Sequence, residues 1–362
     1  MKKRYLGLAV AAATVLAAPS LHAGTIFAGG YPDKLLVFDE ALGKTTQRLI
    51  LSIGLPRGMQ LSNDGKRLYV TSVSSGIEVV DVATRKSLDS FSLDGPRTRY
   101  RFNGGVADSK GRYFYLLGEH FDKLNDRYKV SKYQYIAVDL KEKKIVRAVD
   151  VADEDLPQNS YRQRLLLSED DKTLYVLGEK ITVVDTADFK VTQRIDLAKP
   201  PAGEFEDGSF GGSLETLRSP REYVSLFNAS EGPIGNNVFG IARFDLSTKH
   251  IDFKPIGPAP EAVAGLQVTP DGKEGYTVAT IGKLGNRRCE FWRFDLGSNT
   301  VLAKSEFECR SRFNLGMSAD GSKLYIYGAS YEIDVYDAKT LRYEKTWALG
   351  NDATGAGIVV IR

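Results

Sequence analysis

Ser62-Asn63-Asp64-Gly65-Lys66-Arg67-Leu68-Tyr69, followed by Val79-Val80-Asp81, is the stretch that decides the fold. An Asp-Gly pair stands between two apolar, alternating runs, and glycine accepts the positive φ that a tight hairpin requires. The phrase recurs as Ser168-Glu169-Asp170-Asp171-Lys172-Thr173-Leu174-Tyr175 and Ser318-Ala319-Asp320-Gly321-Ser322-Lys323-Leu324-Tyr325. Thr269-Pro270-Asp271-Gly272 and Asp108-Ser109-Lys110-Gly111 are weaker copies. Its companion, an apolar strand ending in Asp, occurs seven times, at Asp39, Asp81, Asp139, Asp185, Asp245, Asp295 and Asp337. Those positions lie 42, 58, 46, 60, 50 and 42 residues apart. The shortest spacings match the ~40–45 residues of a four-stranded propeller blade, and the longer ones call for insertions.

Each unit therefore reads as strand A, Asp-Gly turn, strand B, loop, strand C, Asp turn, strand D. Helical periodicity is absent from residues 24–362. The expectation is an all-β, seven-bladed propeller. Thr25 to Ile53 has room for three strands, and Gly355 to Arg362 is one apolar strand left over. That last strand is expected to complete the first blade and close the ring, which removes an exposed sheet edge.

Up-and-down strand order places the A–B and C–D turns on one face and the B–C and D–A loops on the other. The first set reads as short throughout. The insertions fall in the second set: Gly118 to Lys132, Ala198 to Leu217, Asn228 to Asn237 and Gly282 to Arg287. Function on a rigid scaffold usually sits in elaborated loops, although tolerant loops also drift. Strand A lines the central tunnel, and several of its starts carry arginine: Arg57, Arg101, Arg162 and Arg312. Arginines around a tunnel mouth suit an anion or an acidic partner surface. Pairing with neighbours such as Asp153, Glu154 and Asp155 is the alternative.

The first 23 residues read as a secretory signal. Lys2, Lys3 and Arg4 are followed by an apolar run, Leu6 to Ala18, too short to span a bilayer, and Ala23 precedes the expected cut. An N-terminal anchor helix fits less well. The whole chain carries a net charge of +3, and this segment holds three basic and no acidic residues, so residues 24–362 are neutral. Neutrality argues against nucleic acid and against an anionic membrane surface as partners. A periplasmic location follows, with no stable membrane insertion.

Export would bring Cys289 and Cys309 into an oxidising compartment. Both are equidistant from Asn299, inside the turn Gly297-Ser298-Asn299-Thr300, so a regular hairpin places them directly opposite each other. A disulfide is expected, with two buried thiols as the alternative. Residues 24–362 contain two histidines, His120 and His250, without a second at metal-ligand spacing. There is no haem-attachment motif, nucleophile elbow, phosphate loop or dinucleotide fingerprint. Seven acidic residues on seven separate blades cannot converge on one ion, and Asp in such turns bonds nearby backbone amides. No catalytic, cofactor-binding or metal-binding residue is expected in this chain.

Tyr69-Val70-Thr71-Ser72 after its Asp-Gly turn resembles the YVTN-type, WD40-like propeller repeat. Pro32-Asp33-Lys34-Leu35-Leu36-Val37 and Tyr336-Asp337-Ala338-Lys339-Thr340-Leu341 resemble the propeller (beta) subunit of quinohaemoprotein amine dehydrogenases, and more distantly the heavy chain of methylamine dehydrogenase. The resemblance implies a periplasmic complex that oxidises primary amines. In it a small subunit carries a tryptophan-derived quinone, another carries haem c, and the propeller scaffolds both. A free-standing periplasmic propeller that binds a protein or small ligand is the alternative. A propeller hydrolase such as a lactonase fits least, given so few histidines.

Overall fold

The computed structural model describes residues 24–156, 164–178, 180–197, 205–210, 221–231, 236–310, 312–328 and 330–361. The signal-peptide reading and Arg162 lie outside them. Seven antiparallel sheets follow one another around a ring. Blade 1 is built from Ala353–Ile361, Thr25–Gly30, Lys34–Asp39 and Lys44–Ile50, from the inside out. Blade 2 is Pro56–Leu61, Arg67–Ser72, Gly76–Asp81 and Lys86–Ser92. Blade 3 is Thr98–Ala107, Tyr113–Lys123, Gln134–Asp139 and Lys144–Asp150, with Tyr128–Val130 added to its second strand. Blade 4 is Arg164–Leu167, Thr173–Leu177, Lys180–Asp185 and Val191–Asp196. Blade 5 is Phe205–Phe210, Glu222–Glu231, Asn236–Asp245 and Ile251–Pro258. Blade 6 begins with two short pieces, Ala262–Val263 and Gln267–Val268, before Glu274–Ile281, Arg288–Asp295 and Thr300–Phe307. Blade 7 is Asn314–Met317, Lys323–Tyr327, Glu332–Asp337 and Tyr343–Ala348.

The expected seven-bladed propeller is the observed one, and the C-terminal strand closes it. Thr25 pairs Ile361, Ile26 pairs Val360 and Phe27 pairs Val359, which makes the last strand the innermost of blade 1. Blade 1 is thus stitched from both ends of the described chain.

The middle strands of each blade are buried on both faces, because each blade is sandwiched between two others. The outermost strands of blades 3 and 6 alternate exposed and half-buried residues, the period-2 pattern of a sheet edge facing water. Seven apolar clusters fill the seven gaps between blades, one each. The closing gap, between blades 7 and 1, packs Phe38 and Tyr325 around Trp347, at ring-centroid distances of 5.0 and 5.4 Å. At its rim Tyr325 donates to Glu40 Oε1 at 2.7 Å, and the Gly24 N–H donates to Glu40 Oε2 at 2.8 Å. Burial raises the Glu40 carboxyl above the usual range, against these two hydrogen bonds.

Cys289 and Cys309 form the expected disulfide, with Cα atoms 5.2 Å apart. Their placement differs from a regular hairpin. A bulge between Arg293 and Phe294 shifts the register, so Cys289 lies opposite Phe307. Cys309 sits two residues further on, past the strand end, and the bond runs diagonally from strand C to the start of the D–A linker.

Candidate binding face

The two faces of the ring differ in the way the turn chemistry dictates. In blades 2, 3, 4, 6 and 7 the A–B connection is five residues long. Ser62 shows the local cause. Its hydroxyl donates to Asp64 and accepts from the Arg67 N–H, while Asp64 accepts from the Lys66 N–H. Ser168, Thr269 and Ser318 repeat this pattern. The exception is blade 5, where Phe210 and Glu222 bound an eleven-residue connection. The reading of short A–B turns throughout is corrected there: an inner strand, Phe205–Phe210, lies within the insertion assigned to the opposite face, so part of its length belongs to the plain one. Elsewhere the elaboration stays on the B–C side. The hairpin of blade 3 extends to Lys123 with a third strand, the middle strands of blade 5 run for ten residues each, and Leu284–Asn286 forms a 3-10 turn in blade 6.

Arg101 and Arg312 occupy matching levels in blades 3 and 7, and Arg57 lies close to that level in blade 2. Gly118 and Gly328 hold equivalent places, counted from Tyr113 and Lys323 where the second strands of blades 3 and 7 begin, and each lets the neighbouring inner segment pass closely. A Cβ on Gly118 would stand 2.5 Å from the Arg101 carbonyl oxygen, and one on Gly328 would stand 2.7 Å from that of Arg312. Arg57 follows Pro56, which pairs Ser72 at the same place in blade 2. Arg57 is half-buried, whereas Arg101 and Arg312 are exposed. Arg101 pairs Glu119 across the strands, with charged atoms 4.0 Å apart. Blade 1, between blades 7 and 2, carries Ala353 to Gly357 at this level and brings no charge.

The acidic cluster near blade 4 has its own partners. Asp155 is buried and accepts from Arg194 Nε and Nη2, each at 2.7 Å, and pairs Lys180 Nζ at 3.1 Å. Burial pulls its carboxyl upward, and the two cations outweigh it and hold the value below the usual range.

The seven repeated aspartates are turn caps. Each accepts a backbone N–H from two or three residues further on, as Asp39 does from Leu42, Asp81 from Thr84 and Asp337 from Thr340. Backbone donation from Thr248, with Ser247, holds Asp245 down to about 2. Carboxylates fixed in this form serve the fold. His250 lies exposed in a C–D turn. His120 packs against Tyr100 with ring centroids 5.5 Å apart and faces Asp122 at 3.5 Å. Among the described residues no group of three or more His, Cys, Asp or Glu side chains is placed to hold a metal ion, and no helix is long and apolar enough to cross a membrane.

One feature escaped the sequence reading. On the loop face a recess of about 730 Å³ opens between blades 2 and 3. It is lined by the Ser52–Ile53 linker, the Val73–Gly76 turn, the end of the Lys86–Ser92 strand, and Asp94, Arg99 and Tyr100. Its residues come from four separated segments, none with a distinguishing motif.

No protein-family model matches the chain, and no curated protein matches it. Solved structures do. Hydrazine synthase of Kuenenia stuttgartiensis is 15% identical with a TM-score of 0.50, covering 85% of this chain and 95% of its own. The dihydro-haem d1 dehydrogenase NirN, solved in complex with DHE, is 14% identical with a TM-score of 0.53, covering 93% and 75%. Apo AztD from Citrobacter koseri is 14% identical with a TM-score of 0.53, covering 94% and 98%. At such identities the likeness is one of fold: this chain shares the architecture of those proteins across most of its length.

Proposed function

We propose that the chain is an exported, non-catalytic platform on whose loop face other proteins dock. We propose further that it serves as the propeller subunit of a periplasmic amine dehydrogenase. One observation carries the docking role. Consecutive blades 7, 1, 2 and 3 expose large apolar side chains at their B–C tips: Tyr331 at 62%, Tyr31 at 59%, Val73 at 48% and Tyr128 at 61%. The same arc holds Arg312, Arg57 and Arg101. Exposed aromatics beside arginines are the composition that protein interfaces favour, and the arginines select an acidic partner surface. The amine dehydrogenase assignment rests on the resemblance of the repeat phrases, and it supplies the partners: a haem c subunit and a small subunit with a tryptophan-derived quinone.

The test is an affinity pull-down of the tagged full-length protein from the periplasm of its native host, with haem staining and quinone-specific redox staining of the gel. A haem-bearing and a small quinone-bearing band are expected together. The triple variant Arg57→Glu, Arg101→Glu, Arg312→Glu is expected to release them, with affinity falling at least about tenfold. Elution of the protein alone overturns the complex. Retention by the triple variant overturns the arginine arc.

A second reading, a free-standing periplasmic propeller that binds a small ligand, is favoured by the recess between blades 2 and 3.

A further inference from the structure

We propose that the recess between blades 2 and 3 is a binding site for a neutral, polyhydroxylated small molecule of the saccharide class. The inference stands apart from the docking role, since it rests on the direction of hydrogen bonds inside the recess. A serine hydroxyl has one hydrogen to give and two lone pairs to accept with. Four of the lining serines have already given theirs inward. Ser52 Oγ donates to the buried Glu78 carboxylate at 3.2 Å, beside the Ser52 N–H at 2.9 Å. Ser74 Oγ donates to the Ile53 carbonyl at 3.0 Å, Ser75 Oγ to the Tyr100 carbonyl, and Ser92 Oγ to the Ser74 carbonyl at 3.4 Å. What these hydroxyls offer a guest is acceptor oxygen, so the guest must supply hydrogens.

Donors for the guest's own oxygens come from the rim. Arg99 gives Nη1 to Asp94 Oδ2 at 3.2 Å and to the Gly95 carbonyl at 3.4 Å. Its Nε and Nη2 are uncommitted among the described residues, on a side chain that is 64% exposed. Asp94 and Arg99 cancel each other at the rim, and the Glu78 carboxylate behind Ser52 is buried away from a guest. For an anion, the Asp94 carboxylate and the four committed hydroxyls oppose the pull of Arg99, and for a cation Arg99 opposes Asp94. Phe91 and Tyr100, both half-buried, provide the apolar wall against which the C–H face of a sugar ring can pack. A volume of about 730 Å³ falls within the ~300–1,000 Å³ typical of small-molecule sites, room for one or two sugar rings.

The experiment uses the full chain and saturation-transfer NMR backed by calorimetry. The probes are glucose, galactose, N-acetylglucosamine, maltose and cellobiose, with inorganic phosphate and methylammonium as charged counterparts. At least one saccharide is expected to bind at about 10 mM or tighter, and neither ion is. Arg99→Ala, which removes a charged donor, is expected to weaken that binding about tenfold or more. Ser90→Tyr, which fills the recess from the outermost strand of blade 2, is expected to abolish it. Both variants should keep the parent melting temperature. The proposal is overturned if no saccharide binds, if either ion binds in their place, or if both variants bind as the parent does.

Discussion

Every C–D turn places its fourth residue after the aspartate in the left-handed region, and glycine fills that place once. Gly43 has φ of 62°, while Arg85, Lys143, Phe189, Lys249, Asn299 and Leu341 lie between 55° and 61°. In six of the seven blades the strand register shifts just before the aspartate. A type I turn closed by a left-handed residue and a bulge has this form. Its side chain costs about 1 kcal/mol in the left-handed region, and the other contacts of the turn hold it there. The substituent decides the balance at each position. The Lys249 side chain makes no hydrogen bond or ion pair among the described residues, so Lys249→Gly is expected to stabilise by up to about 1 kcal/mol, less the extra entropy of glycine. Phe189 is buried, with Tyr115 and Tyr135 at 6.2 and 5.9 Å and Arg147 above its ring at 5.6 Å. Phe189→Gly is therefore expected to cost about 3–5 kcal/mol. Urea unfolding of the two variants checks the pair, and a loss above about 1 kcal/mol for Lys249→Gly would refute the strain argument.

At the scale of the element, the disulfide ties the third strand of blade 6 to the linker leaving its fourth. The closed loop spans 20 residues, for which the chain-entropy model gives about 3 kcal/mol. The bond lies at the loop-face corner of the blade, next to the Leu284–Asn286 turn. Cys309→Ser is expected to lower stability by about 2–4 kcal/mol, and reduction of the parent should reproduce most of that loss. Equal urea midpoints for oxidised and reduced protein would show that the hairpin holds its shape unaided. The aromatic stack of Phe291 on Phe307, at 4.3 Å, lies beside the bond and limits how far the reduced strand end can move.

At the scale of the whole molecule, stability is shared among seven equivalent interfaces, and the seam between blades 7 and 1 depends on the last strand. Ala353 and Ile358 pack with Val360 into the blade 7–1 cluster, and Val359 and Ile361 into the blade 1–2 cluster. Deleting residues 353–361 uncovers both clusters and leaves the Thr25–Gly30 strand as a bare edge. Four large apolar side chains at roughly 1.5 kcal/mol each, allowing for partial burial, make a loss of about 6 kcal/mol. That is comparable to the total stability of many domains. The truncated chain is expected to melt far below the parent or to aggregate, and a synthetic peptide of residues 353–361 should restore its melting temperature. A truncated chain that melts as the parent does would mean the ring holds without its closing strand.

The sequence by itself determined the number of blades, the four-strand order and the closure, because those follow from local chemistry. An aspartate that caps its own turn, a glycine at positive φ and an alternating strand act within ten residues, and they recur visibly at Asp39, Asp81 and Asp337. The cysteine pairing was legible for the same reason, though not its geometry: the bulge at Arg293 moves Cys309 two residues out of register, and no side chain announces it. Tertiary structure alone decided where the inner strand of blade 5 falls within its long insertion. It also decided that Gly118 and Gly328 admit the arginine-bearing segments, and that serines from blade 2 and the linker before it face one recess with Tyr100 of blade 3. The directions of those hydroxyls are set by Glu78 and by carbonyls distant in sequence. A single chain order carries no record of such contacts until the blades pack.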